Sequence, residues 1–228
     1  MRIAVIPARG GSKRIFKKNI KEFIGKPVIA YSIESAFQSK LFDHIVVSTD
    51  DVEIARIAKK YGAEVPFIRP EDISDDFSSA TDVVAHAIEW AKNNDWDVNE
   101  VCCIYATAPF IKANDIIKGF KALSTGLWSF AFSATEYPFP IYRSFGVSEK
   151  GGAEMLYPEH YLERSQDLPA TFHDAGQFYW GLADEWLSKK KIFDLYSKPI
   201  IIPSWRTQDI DTFDDWKRAE LIWKALYL

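Results

Sequence analysis

The opening of the chain combines residue types that suit the binding of phosphate groups. The stretch IPARGGSKRIFKKN, residues 6–19, places two glycines and five cations directly after an apolar run. Glycines let the backbone approach a ligand closely, and exposed N–H groups together with cations hold phosphates electrostatically. The stretch matches neither G-x-G-x-x-G nor G-x-x-x-x-G-K-[ST], so a solvated basic turn is the alternative interpretation.

A pair of carboxylates near the other end of the chain suits the binding of a divalent cation. Asp209 and Asp211 are separated by one residue, Ile210. Alternate residues of an extended segment point the same way, so the two carboxylates can converge on one ion. Mg²⁺ prefers oxygen ligands and often binds one or two carboxylates plus substrate phosphates. The alternative is that these acids cap the following helix, a role that Asp214 and Asp215 suit better.

A third stretch, RSQDLPATFHDAGQFYWG at residues 164–181, sets polar side chains densely among aromatic ones. This composition suits recognition of a polyhydroxylated substrate. The polar members are Arg164, Gln166, Asp167, His173, Asp174 and Gln177. The sequence has no H-E-x-x-H, no G-x-S-x-G and no Ser–His–Asp order, so nucleophilic hydrolysis is not favoured.

Composition narrows the class of protein. The 228 residues are 47% hydrophobic and 26% charged, as in a globular protein. The net charge of −4 and pI of about 5.6 argue against a general nucleic-acid surface. The first 21 residues nevertheless carry seven cations and no acid, which indicates a local anionic ligand.

The cysteines and the hydropathy pattern predict a cytoplasmic protein with no membrane partner. Cys102 and Cys103 are adjacent and offer neither a disulfide framework nor a metal-ligand spacing. No apolar stretch reaches the length of a membrane span, and no signal-peptide pattern precedes the first predicted strand.

Strands and helices must position these candidate site residues. The sequence indicates such elements by apolar runs that alternate with segments of helical periodicity. The pattern predicts an α/β fold, Rossmann-like, with a mostly parallel sheet flanked by helices. The predicted strands are residues 2–8, 44–50, 100–109, 128–138, 176–182 and 198–204. The predicted helices are residues 26–39, 51–62, 79–94, 114–126 and 211–227. Residues at about 139–172 do not follow this alternation of strands and helices. We therefore expect a single domain, 1–228, with an inserted arm at these residues.

Five stretches, in this order, resemble the acylneuraminate cytidylyltransferase family, whose members make CMP-activated nonulosonic acids. They are IPARGGSK with its following KN, VSTDDVEIA, RPEDISDDFSSATD, RSQDLP and DIDT. The resemblance spans almost the whole chain and implies a fold of the nucleotide-diphospho-sugar transferase type. It also implies a homodimer formed through the arm at 139–172, for which an ordinary surface loop is the alternative.

The implied reaction joins CTP to a nonulosonic acid with release of pyrophosphate. Within the family, residues 164–181 look most like the branch that activates pseudaminic acid, with N-acylneuraminate as the nearest alternative. Two other classes stay open: a nucleotidyltransferase for an aldose 1-phosphate, and a module that binds CTP without turnover.

The resemblance also implies roles for individual residues. Those carried over as catalytic are Lys18, Arg9, Asp209 and Asp211, and the two aspartates would bind Mg²⁺ as the cofactor. Those carried over as substrate-binding are Ala8, Gly10, Ser12, Asn19, Arg69, Ser79, Tyr105, Arg164, Gln166, Asp167, His173 and Gln177. Arg69 and Ser79 would recognise cytidine, and residues 164–177 would face the sugar. The chain departs from the family pattern at Phe16, Lys17 and Tyr105, the last standing where a glutamine is usual.

Overall fold

A computed structural model of the protein describes residues 1–75 and 77–227. Two residues lie outside the described ranges: Asp76, which belongs to the stretch 69–82, and Leu228, at the end of the predicted domain. The strands are β1 (Arg2–Pro7), β2 (Glu22–Phe23), β3 (Lys26–Pro27), β4 (His44–Ser48), β5 (Glu100–Ile104), β6 (Phe130–Glu136), β7 (Phe145–Val147), β8 (Ala153–Met155), β9 (Phe172–Leu182) and β10 (Ser197–Ile201). The helices are α1 (Val28–Ser39), α2 (Val52–Lys60), α3 (Ala80–Asn93), α4 (Ala113–Leu123), α5 (Ala183–Leu187) and α6 (Phe213–Tyr227).

The central sheet has the strand order β10-β6-β9-β5-β1-β4. β1 pairs in parallel with β4 and with β5, and β6 pairs in parallel with β10. β9 runs antiparallel to both of its neighbours, β5 and β6. The predicted α/β fold with a mostly parallel sheet is therefore confirmed. The carboxyl ends of β1, β4 and β5 meet at one edge, where such sheets bind ligands.

Both faces of the sheet are buried, as expected for parallel strands. Along β1, Ala4 and Ile6 belong to one apolar cluster, whereas Ile3 and Val5 belong to a second on the opposite face. Helices α1 and α4 contribute to the first cluster, and α3 contributes to the second. No helix among the described residues is both long and apolar enough to cross a membrane.

A third cluster joins the beginning of the chain to its end. It contains Ile15 from the opening loop and Ile210 from the acid pair, both fully buried. Aromatic rings fill the space between them, with Phe23 edge-on to Trp216 at 5.6 Å between centroids. Helix α6 is thereby packed beside the loop that follows β1.

Two strand boundaries differ most from the prediction. β5 ends at Ile104 rather than at Pro109, and β9 begins at Phe172 rather than at Gly176. The register of β6 against β9 shifts between Phe132 and Ala134, which marks a bulge in the strand pair. The bulged part of β9 is polar, so its composition resembles that of a loop.

The segment 137–171, which we call the arm, connects β6 to β9 without an α-helix. β7 and β8 form a separate two-stranded antiparallel sheet within it. Several large apolar side chains of this arm are exposed: Tyr137, Phe139, Phe145, Val147, Leu156, Tyr161 and Leu162.

Candidate active site

A cavity of about 480 Å³ opens at the carboxyl edge of the sheet, between the loops that follow β1 and β5 and the segment that leads from α2 into α3. Of the predicted site residues, six line it: Arg9, Ser12, Lys18, Asn19, Arg69 and Tyr105. The other lining residues include Lys13, Arg14, Ile73, Asp75, Ser78, Val83 and Thr107. The basic opening stretch therefore forms a wall of the cavity.

The two glycines of the opening loop differ in how closely their surroundings pack against them. The Gly10 N–H donates to Asp50 Oδ1 at 2.8 Å, which holds the loop against the end of β4. A Cβ at Gly10 would lie 2.8 Å from Asp51 Oδ2, a distance that real contacts essentially never show. A Cβ at Gly11 would meet nothing within 4 Å. Close packing against Asp51, which caps α2, thus requires glycine at position 10 alone.

Asn19 and Arg9 hold the opening loop in shape. Asn19 is buried, and its Nδ2 donates to the Arg9 carbonyl oxygen at 2.9 Å. Arg9 Nη1 donates to the Asp75 carbonyl oxygen at 2.9 Å, which ties this loop to the segment after β4. The hydrogen bond from Arg9 to Asp75 therefore joins two walls of the cavity.

The carboxylate pair lies directly beside the basic loop. Lys18 Nζ donates to the Ile210 carbonyl oxygen at 2.7 Å and lies 3.3 Å from Asp211 Oδ1. Arg14 Nη1 lies 3.0 Å from Asp211 Oδ2. Because Ile210 is buried in the third cluster, the alternation of an extended segment turns Asp209 and Asp211 the other way.

Electrostatics show that the two carboxylates interact. Asp209 is exposed beside the cavity, yet enough protein surrounds its carboxylate that desolvation, reinforced by the charge of Asp211, raises its pKa. The charges of Lys18 and Arg14 oppose this shift. Like charges held this close favour a bound cation.

Helix capping falls to Asp215, the role that its position suggested. Asp215 Oδ2 accepts the N–H of Thr212 at 2.8 Å and that of Asp211 at 3.2 Å. These bonds lower the pKa of Asp215, chiefly through the Thr212 hydroxyl. The capping interpretation therefore applies to Asp215, while the Asp211 side chain faces Lys18 and Arg14.

Arg69 is a buried cation on the cavity wall. It is only 4% exposed, and burial lowers its pKa. Its Nε donates to Ser74 Oγ at 3.2 Å, and its Nη2 lies 3.7 Å from Asp50 Oδ1. Nη2 is buried and has no hydrogen-bond partner within the described part of the chain. The Asp50 carboxylate is therefore the charge that faces this nitrogen.

Tyr105 and Gln177 meet where β5 ends beside β9. The Tyr105 N–H donates to the Gln177 carbonyl oxygen at 3.0 Å, and Ser32 Oγ donates to the Tyr105 carbonyl oxygen at 2.7 Å. Gln177 is buried behind the cavity wall, where its Nε2 donates to the Arg206 carbonyl oxygen at 2.7 Å. Gln177 Oε1 has no hydrogen-bond partner among the described residues.

The remaining predicted residues do not line this cavity. Ala8 is buried in the core, and Ser79 caps α3 in a capping box with Asp82, whereas its neighbour Ser78 lines the cavity. Arg164 pairs with Asp167 at 2.6 Å in the arm, which also carries Gln166. The His173 ring lies 4.6 Å from that of Tyr137. One copy of the chain therefore does not bring residues 164–173 to the cavity.

Several residues that line the cavity or stabilise the surrounding structure were not predicted from the sequence. Arg14 and Lys13 belong to the basic stretch that raised the phosphate hypothesis, but nothing in their spacing singled them out. The ion pair between Asp115 and Arg206, at 2.6 Å and almost fully buried, joins residues 91 positions apart. No local pattern predicts such a pair.

The acid pair suits a magnesium ion. No cluster of three or more His, Cys, Asp or Glu suited to a metal occurs within residues 1–75 and 77–227. Two carboxylates beside a cationic cavity nevertheless match the habit of Mg²⁺, which combines one or two protein carboxylates with water and phosphate oxygens. Such a donor set lacks the sulfur and imidazole ligands that structural zinc sites use.

Comparison with known proteins relates this geometry to function. A family model described as cytidylyltransferase matches residues 3–138. The chain is similar to the pseudaminic acid cytidylyltransferase of Campylobacter jejuni serotype O:23/36, with 44% identity over 223 residues, covering 98% of this chain and 96% of that protein. It is 32% identical to the CMP-N,N'-diacetyllegionaminic acid synthase of Legionella pneumophila, covering 96% of this chain and 94% of that one.

A solved structure shows the same fold. It is the CMP:2-keto-3-deoxy-manno-octonic acid synthetase complexed with CTP, with a TM-score of 0.70 and coverage of 98% of both chains. The identity is 18%, so this likeness concerns the fold alone.

Proposed function

The chain belongs to the cytidylyltransferase family, and on that premise we propose that it transfers CMP from CTP to the anomeric hydroxyl of pseudaminic acid. The observation that carries this proposal is the contact between Lys18 and Asp211, which joins the cationic cavity to the acid pair. The similarity to the Campylobacter jejuni enzyme supports the choice of sugar. The protein is a nucleotidyltransferase.

In the proposed reaction the anomeric oxygen attacks the α-phosphorus of CTP in line. A bond from that oxygen to phosphorus forms while the bond to the pyrophosphate oxygen breaks, and the hydroxyl proton passes to solvent water. The protein's work is then to position both substrates and to neutralise charge. Arg9, Ser12 and Lys18 line the cavity and would hold the triphosphate, with Arg14 beside them.

Asp209 and Asp211 would hold Mg²⁺. When bound, this ion supplies charge neutralisation at phosphate oxygens. The raised pKa of Asp209 and its proximity to Asp211 support this assignment, because a cation relieves repulsion between the two carboxylates. Lys18 keeps Asp211 in place through its bonds to the carboxylate and to the neighbouring carbonyl.

Cytidine would be recognised on the Arg69 side of the cavity. Nη2 of Arg69 makes no hydrogen bond within the described residues and would offer a donor, and cytosine presents a carbonyl oxygen and a ring nitrogen as acceptors. Ser78 lines the same wall, next to the predicted Ser79.

We further propose a homodimer formed through the arm at 137–171. Its exposed apolar side chains, Phe139 and Leu162 among them, are typical of a surface that another protein covers. In a dimer the arm would reach the partner's cavity, so that Arg164, Gln166, Asp167 and His173 would face the sugar there. Size-exclusion chromatography with light scattering tests this, and a strict monomer would reject it.

We place the reaction in the cytoplasm, because Cys102 and Cys103 are buried free thiols of the kind that a reducing compartment preserves.

Pyrophosphate release tests the function directly. With Mg²⁺ and CTP, we expect release in the presence of pseudaminic acid and much less with N-acetylneuraminic acid. A preference for N-acetylneuraminic acid would reassign the sugar. Release with UTP and an aldose 1-phosphate, or CTP binding without any release, would reject the proposed reaction.

A further inference from the structure

Arg14 connects the acid pair to the cavity. Its side chain lines the cavity, and its Nη1 lies 3.0 Å from Oδ2 of Asp211. The other oxygen of the same carboxylate faces a second cation, because Lys18 Nζ lies 3.3 Å from Oδ1. Both oxygens that Asp211 could offer to a metal are therefore already paired with a cation of the opening loop.

The two cations differ in how firmly they are held. The Lys18 side chain is 21% exposed, and its Nζ also donates to the Ile210 carbonyl oxygen at 2.7 Å. The Arg14 side chain is 67% exposed and lies in the loop before the 3₁₀ turn Lys18–Ile20. Arg14 can therefore leave Asp211 at little cost, whereas movement of Lys18 would also break its bond to Ile210.

The contact between Arg14 and Asp211 is of a kind that another cation can replace. An ion pair in contact with solvent changes an equilibrium by about fivefold or less. A divalent cation between Asp209 and Asp211 would approach the same carboxylate oxygens, and its charge would repel the guanidinium. Binding of such an ion therefore favours release of Arg14.

A released guanidinium has other acceptors within its reach. Arg14 lines the same cavity as Arg9 and Ser12, which we propose to hold the triphosphate. Guanidinium groups bind phosphate oxygens through paired N–H bonds, a geometry that an ammonium group lacks. One side chain is thus placed to serve either the carboxylate or a phosphate.

We propose that Arg14 exchanges partners: it pairs with Asp211 while the acid pair holds no metal, and it binds a phosphate of CTP once Asp209 and Asp211 hold Mg²⁺. This inference rests on the proposed function and adds a linkage within the same site. Arg14 becomes available to the triphosphate only when the metal is in place. Binding of the metal and binding of the nucleotide are therefore coupled through one side chain.

Binding of inorganic pyrophosphate in the presence of EDTA tests the exchange without turnover. Calorimetry compares wild type, Arg14→Gln, Asp211→Asn and the double variant, a cycle that isolates the coupling between the two side chains. Asp211→Asn keeps the backbone bond from residue 211 to Asp215, so the cap of α6 is retained.

The exchange predicts a specific pattern in this cycle. In the presence of Asp211, Arg14→Gln should change the pyrophosphate affinity by less than about twofold, because Arg14 is already paired. Asp211→Asn should bind pyrophosphate more tightly than wild type. In that background Arg14 is free to bind phosphate, and Arg14→Gln should weaken binding by about threefold to tenfold.

Binding of Mn²⁺ alone provides an independent measurement. Mn²⁺ prefers the same oxygen ligands as Mg²⁺, and electron paramagnetic resonance measures its free concentration. Without the competing guanidinium, Arg14→Gln should bind Mn²⁺ about twofold to fivefold more tightly than wild type. At saturating Mg²⁺ the same variant should have a KM for CTP about threefold to tenfold higher. Changes of opposite sign distinguish the exchange from general damage to the site.

Arg56→Gln is the matched control. Arg56 is an exposed arginine of α2, so the variant removes the same charge from outside the opening loop and the acid pair. It should leave the affinities for Mn²⁺ and pyrophosphate within about twofold of wild type.

Three results would overturn the exchange: equal losses of pyrophosphate affinity on removing Arg14 in both backgrounds, no pyrophosphate binding by Asp211→Asn, or Mn²⁺ binding by Arg14→Gln that is no tighter than in wild type. The proposed reaction is judged separately. Wild-type protein that releases no pyrophosphate from CTP would reject that reaction, while the expected binding cycle would still support the exchange.

Discussion

Lys18 and Asp211 are 193 residues apart in the sequence, yet Nζ of the lysine lies 3.3 Å from Oδ1 of the aspartate. The same Nζ donates to the Ile210 carbonyl oxygen at 2.7 Å. Lys18 therefore has two tasks, because it also lines the cavity that would hold the triphosphate. Substitutions at Lys18 and at Asp211 should therefore have distinguishable effects on CTP handling and on turnover.

Replacing Lys18 with alanine should impair the handling of CTP. Loss of a charged donor should reduce kcat/KM for CTP by about tenfold to a hundredfold. Pyrophosphate release measured against CTP concentration checks this, with Lys60→Ala, an exposed lysine of α2, as the control. An unaltered dependence on CTP would count against the assignment.

Replacing Asp211 with alanine should abolish most turnover while the fold stays intact. Loss of one of two carboxylates for Mg²⁺ should lower kcat by about a hundredfold or more. Magnesium titration of activity and far-ultraviolet circular dichroism provide the measurements. Asp214→Ala, an exposed acid in the same segment, should behave as wild type. A normal rate in Asp211→Ala at saturating Mg²⁺ would refute the metal assignment.

Asp209→Asn should stabilise the protein at neutral pH while reducing its activity. Desolvation and the charge of Asp211 raise the pKa of Asp209, so its ionised form in the folded state costs free energy that asparagine avoids. As pH falls through the raised pKa, wild-type Asp209 becomes neutral and the advantage disappears. Urea unfolding from neutral pH down to about 4, near the ordinary aspartate pKa, measures this difference. An advantage that grows on acidification would contradict the prediction.

Alanine substitutions at the glycine pair should have unequal effects. A Cβ at Gly10 meets Asp51 Oδ2 at 2.8 Å and Asp51 Cβ at 2.9 Å, whereas Gly11 has open space. Overpacking of this kind costs about 1–3 kcal/mol, so Gly10→Ala should unfold at a lower temperature and bind CTP more weakly. Gly11→Ala is the matched control and should match wild type in thermal unfolding. Equal melting temperatures for the two variants would show that the loop shifts without cost.

Asp115→Asn should strongly destabilise the fold. It leaves the Arg206 guanidinium, 6% exposed, without its carboxylate partner, and breaking such a buried pair costs about 3–5 kcal/mol. Lys118 also lies near Asp115, at 3.4 Å, but its side chain is 64% exposed. Lys118→Ala should therefore change the free energy of unfolding by less than about 1 kcal/mol. Chemical denaturation distinguishes the two, and similar losses would contradict the assigned burial.

Local sequence patterns predicted the sheet and its helices because each rests on nearby residues. The apolar run of β1 is buried on both faces, and Asp51 and Ser79 cap α2 and α3 through bonds within three residues. The end of β5 at Ile104 was not predictable in this way, since it is set by pairing with β9, a strand that follows much later in the chain.

The candidate site was predictable in its parts rather than in its assembly. The basic stretch and the acid pair stand out by composition, and Lys18 and Asp211 do meet. The contact of Gly10 with Asp51 and the pair of Asp115 with Arg206 depend on tertiary packing that no spacing reveals. Residues 164–173 lie in an arm whose surroundings depend on whether a second copy is present.

The buried Ile210 has a consequence for the order in which the protein matures during translation. The ribosome delivers the opening loop long before the acid pair, and Ile210 reaches its place only when the aromatic residues of α6 can close around it. A nascent chain that stops before residue 209 carries the basic loop but lacks Asp209 and Asp211 beside it. If the acid pair acts as proposed, competence for phosphoryl transfer thus arises only after α6 has been made and has packed on Ile210.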